Sequence, residues 1–337
     1  MNPDKRRRRS LLLSRALIVC AFLAACAQGS PPQLNERVFI DVGDTTLYAE
    51  IRGKNESAPL LLFLHGGPGS PLGVPIFRAY GGRLLEDQFI VVYLHQRGIM
   101  KSPRVPDSSH SVNRYVDDVH HVVGYLRHRF PGREISLLGH SWGGVLAYLY
   151  VSSHQDAIHR LVTVSTPIDV ESTIHGRVAM ILQWAQETGN DEAIRDLSPL
   201  KGKSVLDDFE AFKILAQWSP VAHGGWARDL SRKRIDAAVD YEDSFPVWLS
   251  EQKHIEELLL TELLQLDLRD EIQQIGIPSL CIVGREDVDT PWYLVQEGVK
   301  NYGGHVDLRF FENSHHMPFI DEEVLFVEAV AQFLNPE

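Results

Sequence analysis

Cysteine is scarce in this chain of 337 residues, which contains three: Cys20, Cys26 and Cys281. Only Cys281 lies beyond the first 26 residues, so the globular part cannot form an internal disulfide. Cys281 stands in the apolar run 279–283, where a thiol usually serves as a small buried hydrophobic group. The fold is therefore expected to hold together without covalent cross-links.

Positive charge is also in short supply. The chain has 33 Lys and Arg against 45 Asp and Glu, which gives a net charge of −12. Residues 1–25 hold six of the basic residues and one Asp, so residues 26–337 carry 27 basic and 44 acidic side chains, a net charge of −17. Such an acidic surface argues against nucleic acid or an anionic membrane surface as the main partner.

The N-terminal apolar stretch is too short to cross a membrane. It runs over 11–25 but is interrupted by Arg15, and the remaining part, 16–25, falls short of a bilayer core of about 30 Å. A basic run precedes it and small residues end it, so residues 1–25 are predicted to be a secretory signal peptide. A twin-arginine signal also fits the basic run, which leaves the export route open.

The signal ends in Leu23-Ala24-Ala25-Cys26, which resembles a bacterial lipobox. In such signals the cysteine is lipidated and becomes the first mature residue, so the resemblance predicts lipidation of Cys26. The chain is then an exported, membrane-anchored lipoprotein of the cell envelope, and Ala27 favours the outer membrane facing the periplasm in a host with two membranes. Residues 26–35 would form the tether. A plain signal peptide, with Cys26 incidental, is the alternative.

Short apolar runs alternate with helical patterns on both sides of a long middle segment. The predicted strands are 38–42, 46–51, 59–64, 89–94, 134–138, 161–164, 278–283 and 306–311, and the predicted helices are 112–130, 145–152, 292–302 and 324–334. This alternation indicates an α/β fold with a mostly parallel sheet covered by helices on both faces. The segment 168–273 has helical spacing without a convincing strand. It is predicted to be a helical cap inserted between the core segments 36–167 and 274–337.

A short glycine–serine motif follows the fifth predicted strand. It reads Gly139-His140-Ser141-Trp142-Gly143 and precedes a helical pattern. A serine on a sharp strand-to-helix turn presents its hydroxyl at the edge of the sheet, and the glycines avoid clashes with the neighbouring strand and helix. Ser141 is therefore the candidate nucleophile. By itself the pattern also fits a glycine-rich turn before a helix.

A glycine-rich loop, His65-Gly66-Gly67-Pro68-Gly69, follows the third predicted strand. In folds with a strand–serine–helix turn, this loop supplies one amide of an oxyanion hole and the residue after the nucleophile supplies the other. The candidates are the amides of Gly67, or alternatively Gly66, and of Trp142. A phosphate-binding loop is the competing interpretation, but the Lys-Ser/Thr end of a Walker loop is missing.

The base and the acid are expected in the loops after the last two strands. One loop holds His316 and its rival His315, and the other holds Asp287 and its rival Asp289. The chain order Ser141, Asp287, His316 is the order of nucleophile, acid and base in folds with a strand–serine–helix turn. In such a triad the acid accepts the Nδ1–H of the histidine, and Nε2 takes the serine proton. This chemistry requires no cofactor and no metal, and we expect neither.

These motifs together resemble an α/β-hydrolase of the proline iminopeptidase type, peptidase family S33. The matching segments are 65–69, 96–98, 139–144, 284–287 and 314–318. The resemblance implies the α/β-hydrolase fold and a triad of Ser141, Asp287 and His316. It also implies a serine hydrolase that forms an acyl-enzyme with a small-molecule or short-peptide substrate, acting as an aminopeptidase that releases an N-terminal residue, often proline.

The cap departs from the family's pattern. Proline-specific members carry a Trp-x-x-Trp-Glu run whose glutamates receive the substrate's ammonium group, and the cap contains no such run. A carboxylesterase or lactonase acting on small acyl substrates is therefore an alternative. A lipid-anchored binding protein on a catalytically dead hydrolase fold is the alternative from a different class. The cap tryptophans are expected in the core rather than in the pocket; they are Trp184, Trp218, Trp226 and Trp248.

Overall fold

The computed structural model describes residues 33–203, 209–222, 225, 227–228, 234–235 and 245–335. The predicted signal peptide and Cys26 lie outside these ranges, so lipidation and export stay predictions. Within the described ranges, no helix combines the length and the apolar character needed to cross a membrane. The first strand begins at Leu34, which is buried and pairs with Gly53, so the last two residues assigned to the tether belong to the folded part.

Eight strands form one sheet in the order β1-β2-β4-β3-β5-β6-β7-β8. Their bounds are β1 (Leu34–Asp41), β2 (Thr46–Gly53), β3 (Leu60–Leu64), β4 (Ile90–Leu94), β5 (Ile135–His140), β6 (Leu161–Val164), β7 (Ser279–Gly284) and β8 (Val306–Phe311). The first two strands form an antiparallel hairpin, and β2 pairs antiparallel with β4. The remaining pairs are parallel, which confirms the predicted sheet.

Helices pack on both faces of this sheet. Their bounds are α1 (Gly73–Phe77), α2 (Arg83–Leu85), α3 (Val112–Arg129), α4 (Trp142–His154), α5 (Val170–Thr188), α6 (Asp191–Leu197), α7 (Phe209–Trp218), α8 (Phe245–Leu264), α9 (Arg269–Gln274), α10 (Trp292–Gly298), α11 (Pro318–Asp321) and α12 (Glu323–Leu334). In β3, Leu60, Leu62 and Leu64 join the apolar cluster formed with α3 and α4, whereas Leu61 and Phe63 join the cluster formed with α12. A strand that is apolar at every position is thus buried on both faces.

The described residues between β6 and β7 are mainly helical and comprise α5 to α9. Helices α5 to α8 pack around a third apolar cluster, which includes Ile181 and Leu215, whereas Ile272 of α9 belongs to the first cluster. An antiparallel bridge between Asp169 and Asp267 joins the two ends of this segment. The helical content agrees with the predicted cap, while the division of the chain into core and cap stays a prediction.

Trp218 and Cys281 are buried in the protein interior, and Trp184 is half-buried. Trp218 is buried in the third cluster, and Trp184 packs against that cluster. Trp226 and the side chain of Trp248 lie outside the described part of the chain. Cys281 is buried in β7, and burial raises the pKa of its thiol, so it is the inert buried cysteine that the sequence predicted.

Candidate active site

Ser141 occupies the sharp turn between β5 and α4. Its backbone has φ 53° and ψ −120°, a conformation that residues with a side chain adopt rarely. The backbone N–H of Ser141 donates to the carbonyl of Val164 in β6 at 2.9 Å, which ties the turn to the neighbouring strand. This geometry places a serine at the carboxyl end of a central strand, where a nucleophile turn holds its hydroxyl.

Gly143 is required because the start of α4 lies directly against β3. A Cβ atom at Gly143 would overlap the carbonyl oxygen of Leu64, and a Cβ atom at Gly139 would overlap the carbonyl oxygen of Gly143. A backbone oxygen cannot rotate aside as a flexible side chain can. The glycine spacing around Ser141 is therefore a steric requirement of the turn.

The glycine-rich loop 65–69 lies against Ser141. A Cβ atom built on Gly66 would lie 3.2 Å from the Cβ of Ser141. Gly67 has φ 134°, a conformation that favours glycine, and a Cβ atom there would lie 2.6 Å from the backbone nitrogen two residues further on. The backbone of this loop therefore lies beside Ser141 and the start of α4 at Trp142.

Asp287 and His316 form a hydrogen-bonded pair. Nδ1 of His316 lies 3.0 Å from Oδ2 and 3.1 Å from Oδ1 of Asp287, whose side chain is fully buried. Oδ1 also accepts the backbone N–H groups of Asp289 and Thr290, each at 2.9 Å. An ionised carboxylate can only accept hydrogen bonds, so Nδ1 carries the proton and Nε2 is the basic nitrogen of the neutral ring.

Contacts from two directions place His316 beside the serine turn. The N–H of Glu286, next to the acid, donates to the carbonyl of Ser314 at 3.0 Å, which joins the acid loop to the histidine loop. Nε2 of His140 lies 2.9 Å from the carbonyl oxygen of His316, and the two rings are 4.8 Å apart. Because His140 directly precedes Ser141, this contact brings the histidine loop next to Ser141.

The alternative acid, Asp289, has a different partner. Its Oδ1 lies 2.6 Å from Nη2 of Arg177 on α5. Nη2 of Arg177 also donates to the hydroxyl of Ser219 at 2.7 Å. The carboxylate of Asp289 is thus engaged by the helical segment, whereas that of Asp287 is engaged by His316.

The alternative base, His315, is buried between two other carboxylates. Its Nδ1 lies 3.0 Å from Oδ2 of Asp321, and its Nε2 lies 3.4 Å from Oε2 of Glu286. Both ring nitrogens of His315 therefore face acidic side chains outside the serine turn. Among the described residues, no three His, Cys, Asp or Glu side chains are grouped to hold a metal ion.

The whole arrangement can be compared with known proteins. The chain matches the family model of the alpha/beta hydrolase fold over residues 59–323. It belongs to the α/β-hydrolase family. The hydrolase is 27% identical over 320 residues to "Probable aminopeptidase YbaC" of Bacillus subtilis (strain 168), with 87% of this chain and 94% of that protein covered.

Further similarities of this α/β-hydrolase also extend over most of its length. It is 26% identical over 314 residues to the proline iminopeptidase of Lactobacillus crispatus (strain ST1), with 87% of this chain and 96% of that protein covered. The solved structure of an esterase (EaEST) from Exiguobacterium antarcticum matches with a TM-score of 0.57 and 20% identity, covering 89% of this chain and 99% of that one. The chain is a hydrolase similar to proline iminopeptidases, as its motifs predicted.

Three residues make contacts at the hydrolase site although the sequence predicted no role for them. They are His140, Arg177 and Gln96. Gln96 contacts both His65 and Trp142 through its side-chain amide. Its position directly after β4 was a usable signal, because β4 is parallel to β3 and both strands end at the same edge of the sheet. Arg177 had no such signal, since its partner Asp289 is distant along the chain.

Proposed function

We propose that this hydrolase cleaves an amide or ester bond through an acyl-enzyme formed on Ser141. The observation that carries the proposal is the hydrogen-bonded Asp287–His316 pair next to the Ser141 turn. A serine hydroxyl is a weak nucleophile until a neighbouring base removes its proton, and a histidine oriented by a carboxylate is the usual base.

In the proposed reaction, Oγ of Ser141 attacks the carbonyl carbon of the substrate while its proton passes to Nε2 of His316. The N–H groups of Gly67 and Trp142 hold the negative charge on the carbonyl oxygen, and Asp287 stabilises the positive charge on His316. His316 then protonates the leaving amine or alcohol, which leaves an acyl ester on Ser141. Water, deprotonated by His316, releases the acid and restores the serine.

As substrate we propose a short peptide from which the enzyme releases the N-terminal residue, often proline. Similarity over most of the chain to proteins named aminopeptidase and proline iminopeptidase supports this choice. A carboxylesterase or lactonase acting on small acyl substrates is the second candidate, favoured by the lack of a Trp-x-x-Trp-Glu run in 168–273. With Cys26 lipidated, as the N-terminal sequence predicts, the reaction would take place at a membrane of the cell envelope.

A fluorophosphonate probe tests the proposed nucleophile. The wild-type protein is expected to label covalently, because the probe phosphonylates a serine that a neighbouring base activates. Ser141→Ala is expected to remain unlabelled, with an unchanged thermal unfolding transition as the control for folding. Folded wild-type protein that does not react, or equal labelling of Ser141→Ala, would instead support the catalytically dead binding protein.

Hydrolysis of three substrates by one preparation separates the amide and ester candidates. We expect turnover of a proline arylamide above that of an alanine arylamide, with a short-chain aryl ester as the reference for intrinsic acyl transfer. Ser141→Ala, prepared in parallel, measures any contaminating activity. Ester hydrolysis without turnover of either arylamide would remove the peptidase assignment and leave the esterase or lactonase.

The pH profile should report the charge state of His316. Burial alone would lower the pKa of His316. The charge of Asp287, its hydrogen bond and the charge of Asp289 outweigh burial and the opposing charge of Arg177, so the pKa of His316 is raised above 6.5. His140 also faces the ring, and burial holds the pKa of His140 well below 6.5, so it stays neutral. Because His316 is a base only when neutral, kcat/KM is expected to fall with decreasing pH around a midpoint above 6.5.

Two variants of one ion pair make this pH prediction specific. Asp289→Asn removes a negative charge and is expected to lower the midpoint, whereas Arg177→Gln removes a positive charge and is expected to raise it. Both variants break the same contact, so a purely structural effect would move both midpoints in the same direction. A shift of both midpoints in one direction would contradict the electrostatic effect of this ion pair on His316. A flat profile down to about pH 5 would contradict His316 as the base.

A further inference from the structure

We infer that Gln96 and His65 are positioning residues that together aim the two backbone amides of the oxyanion hole. The inference rests on the proposed function, because it concerns the amides of Gly67 and Trp142. Each side chain acts through the backbone segment that it holds, and neither is assigned a contact with the reacting atoms.

Gln96 joins the two segments that carry these amides. Its Nε2 donates to the carbonyl oxygen of His65 at 2.8 Å, and its Oε1 accepts the indole Nε1–H of Trp142 at 3.0 Å. All three residues are buried, with exposed fractions of 3% or less. One side-chain amide therefore connects the loop after β3 to the first residue of α4.

The chemistry of the partners fixes the orientation of the Gln96 amide. The indole nitrogen of Trp142 can only donate a hydrogen bond, and the carbonyl oxygen of His65 can only accept one. With the amide reversed, its NH₂ group would face the indole N–H and its oxygen would face the His65 carbonyl oxygen. These buried groups would then be left without hydrogen bonds, which is costly. The bridge therefore has a single arrangement.

His65 continues the connection to the peptide unit of the proposed oxyanion donor. Nδ1 of His65 lies 2.8 Å from the carbonyl oxygen of Gly66, which can only accept, so Nδ1 donates. Nε2 of His65 accepts the backbone N–H of Gln96 in a longer contact of 3.4 Å. Both ring nitrogens are thus used, and they require one tautomer of a neutral ring.

The Gly66 carbonyl and the Gly67 N–H belong to one planar peptide unit. The direction of the carbonyl therefore determines the direction of the N–H. By holding the Gly66 carbonyl, His65 also sets the direction of the Gly67 N–H. This peptide lies against the nucleophile, because a Cβ atom on Gly66 would lie 3.2 Å from that of Ser141. The His65 ring is consequently suited to aim the Gly67 amide at the substrate oxygen.

The contacts of His65 persist over the pH range in which the triad works. Burial lowers the pKa of His65 to about 4, with the hydrogen bond to Gly66 opposing that effect. A neutral ring keeps Nε2 as an acceptor for Gln96, whereas a protonated ring would place two donors there. The arrangement is therefore stable where His316 is the neutral base.

Gln96 itself is held by a rigid neighbour. Arg97 is fully buried and makes paired hydrogen bonds to two carboxylates, Asp44 at 2.9 and 3.0 Å and Asp118 at 2.6 and 3.0 Å. Bidentate guanidinium–carboxylate pairs fix both position and orientation. The loop after β4 can therefore serve as the fixed point from which Gln96 sets the two oxyanion segments.

Gln96→Met tests the bridge, because methionine has a similar shape and lacks both hydrogen-bonding groups. We expect kcat to fall about 10- to 100-fold, less than the full loss of an oxyanion donor, with KM changed less than about twofold. An arylboronic acid, which forms a tetrahedral adduct with the nucleophile, should bind more weakly by the same factor as kcat/KM falls.

Gln155→Met is the matched control. Gln155 also bridges two backbone groups, accepting from the N–H of Gly276 at 2.8 Å and donating to the carbonyl of Gln274 at 3.2 Å, but it lies after α4 and away from the serine turn. Its loss is expected to lower the melting temperature while leaving kcat and boronate affinity at their wild-type values.

Two substitutions of His65 provide an independent test if Gln96→Met does not fold. His65→Asn places a side-chain N–H close to the position of Nδ1 and is expected to retain more of kcat than His65→Leu, which offers no donor to Gly66. Equal kcat values for both variants would contradict the role of the ring. So would a Gln96→Met protein with kcat and boronate affinity within about threefold of wild type.

The two possible failures differ in the wild-type protein. If the wild type is labelled by the fluorophosphonate and turns over substrate, yet Gln96→Met behaves like Gln155→Met, the positioning role is wrong and the proposed function stands. If the folded wild type neither labels nor binds the boronic acid, the proposed function is wrong and the inference fails with it.

Discussion

Replacing Asp287 with asparagine is expected to lower kcat about 10⁴-fold while the protein stays folded. The side chains are almost equal in size, so the packing of the buried site is kept. The backbone N–H groups of Asp289 and Thr290 both donate to Oδ1, and they require an oxygen at that position in the variant as well. The amide nitrogen must then occupy the position of Oδ2, 3.0 Å from Nδ1 of His316.

This orientation reverses the tautomer of His316. An amide NH₂ group donates a hydrogen bond, so it favours Nδ1 as an acceptor and the ring proton on Nε2. A protonated Nε2 cannot take the proton of Ser141. The large loss therefore follows because an NH₂ group replaces the Oδ2 acceptor, while the remaining oxygen, 3.1 Å from Nδ1, is already shared with two backbone donors.

Asp289→Asn is the matched control, since it makes the same chemical change two residues away. Its carboxylate pairs with Arg177, and we expect a loss in kcat of less than about tenfold at the optimum pH of the variant. Steady-state kinetics of both variants, with their melting temperatures, decide the assignment. A larger loss for Asp289→Asn than for Asp287→Asn would exchange the roles of the two acids.

The sequence predicted the sheet and the strand-end motifs because both depend on local patterns. Continuous apolar runs such as 60–64 mark strands buried on two faces, and functional loops follow those strands directly. The segment 73–85 was not predicted, because Pro75 and adjacent glycines weaken any helical pattern. Its short helices depend on tertiary packing, including the Phe77 ring stacked on Phe63 at 3.8 Å between centroids.

The choice between neighbouring side chains also required three dimensions. His315 and His316 are adjacent in one loop, and sequence reasoning preferred His316 through a family resemblance. In the fold each histidine has its own carboxylate, Asp321 for the first and Asp287 for the second. Asp321 lies six residues after His315, but Asp287 lies 29 residues before His316 in the loop after another strand, so no local pattern could have assigned the second pair. For the same reason the sequence could not predict the contact between Arg177 and Asp289.

Replacing Gly143 with alanine is expected to lower the free energy of unfolding by about 3 kcal/mol or more, and the melting temperature by about 6 °C or more. The added Cβ would overlap the carbonyl oxygen of Leu64 and lie 2.7 Å from that of His65. Relief requires movement of α4 away from β3 or of the loop that starts at His65. Either movement disturbs the nucleophile or the oxyanion amides, so kcat is expected to fall as well.

Gly124→Ala is the control for the removal of a glycine as such. Gly124 lies inside α3, and a Cβ atom there meets nothing within 4 Å. Alanine is expected to stabilise this helix by about 0.5–1 kcal/mol, because it loses less backbone entropy on folding. Thermal unfolding of both variants under one set of conditions should therefore shift in opposite directions. A Gly143→Ala protein with wild-type stability and activity would mean that α4 can move away from β3 freely, and steric contact would then not explain the glycine beside Ser141.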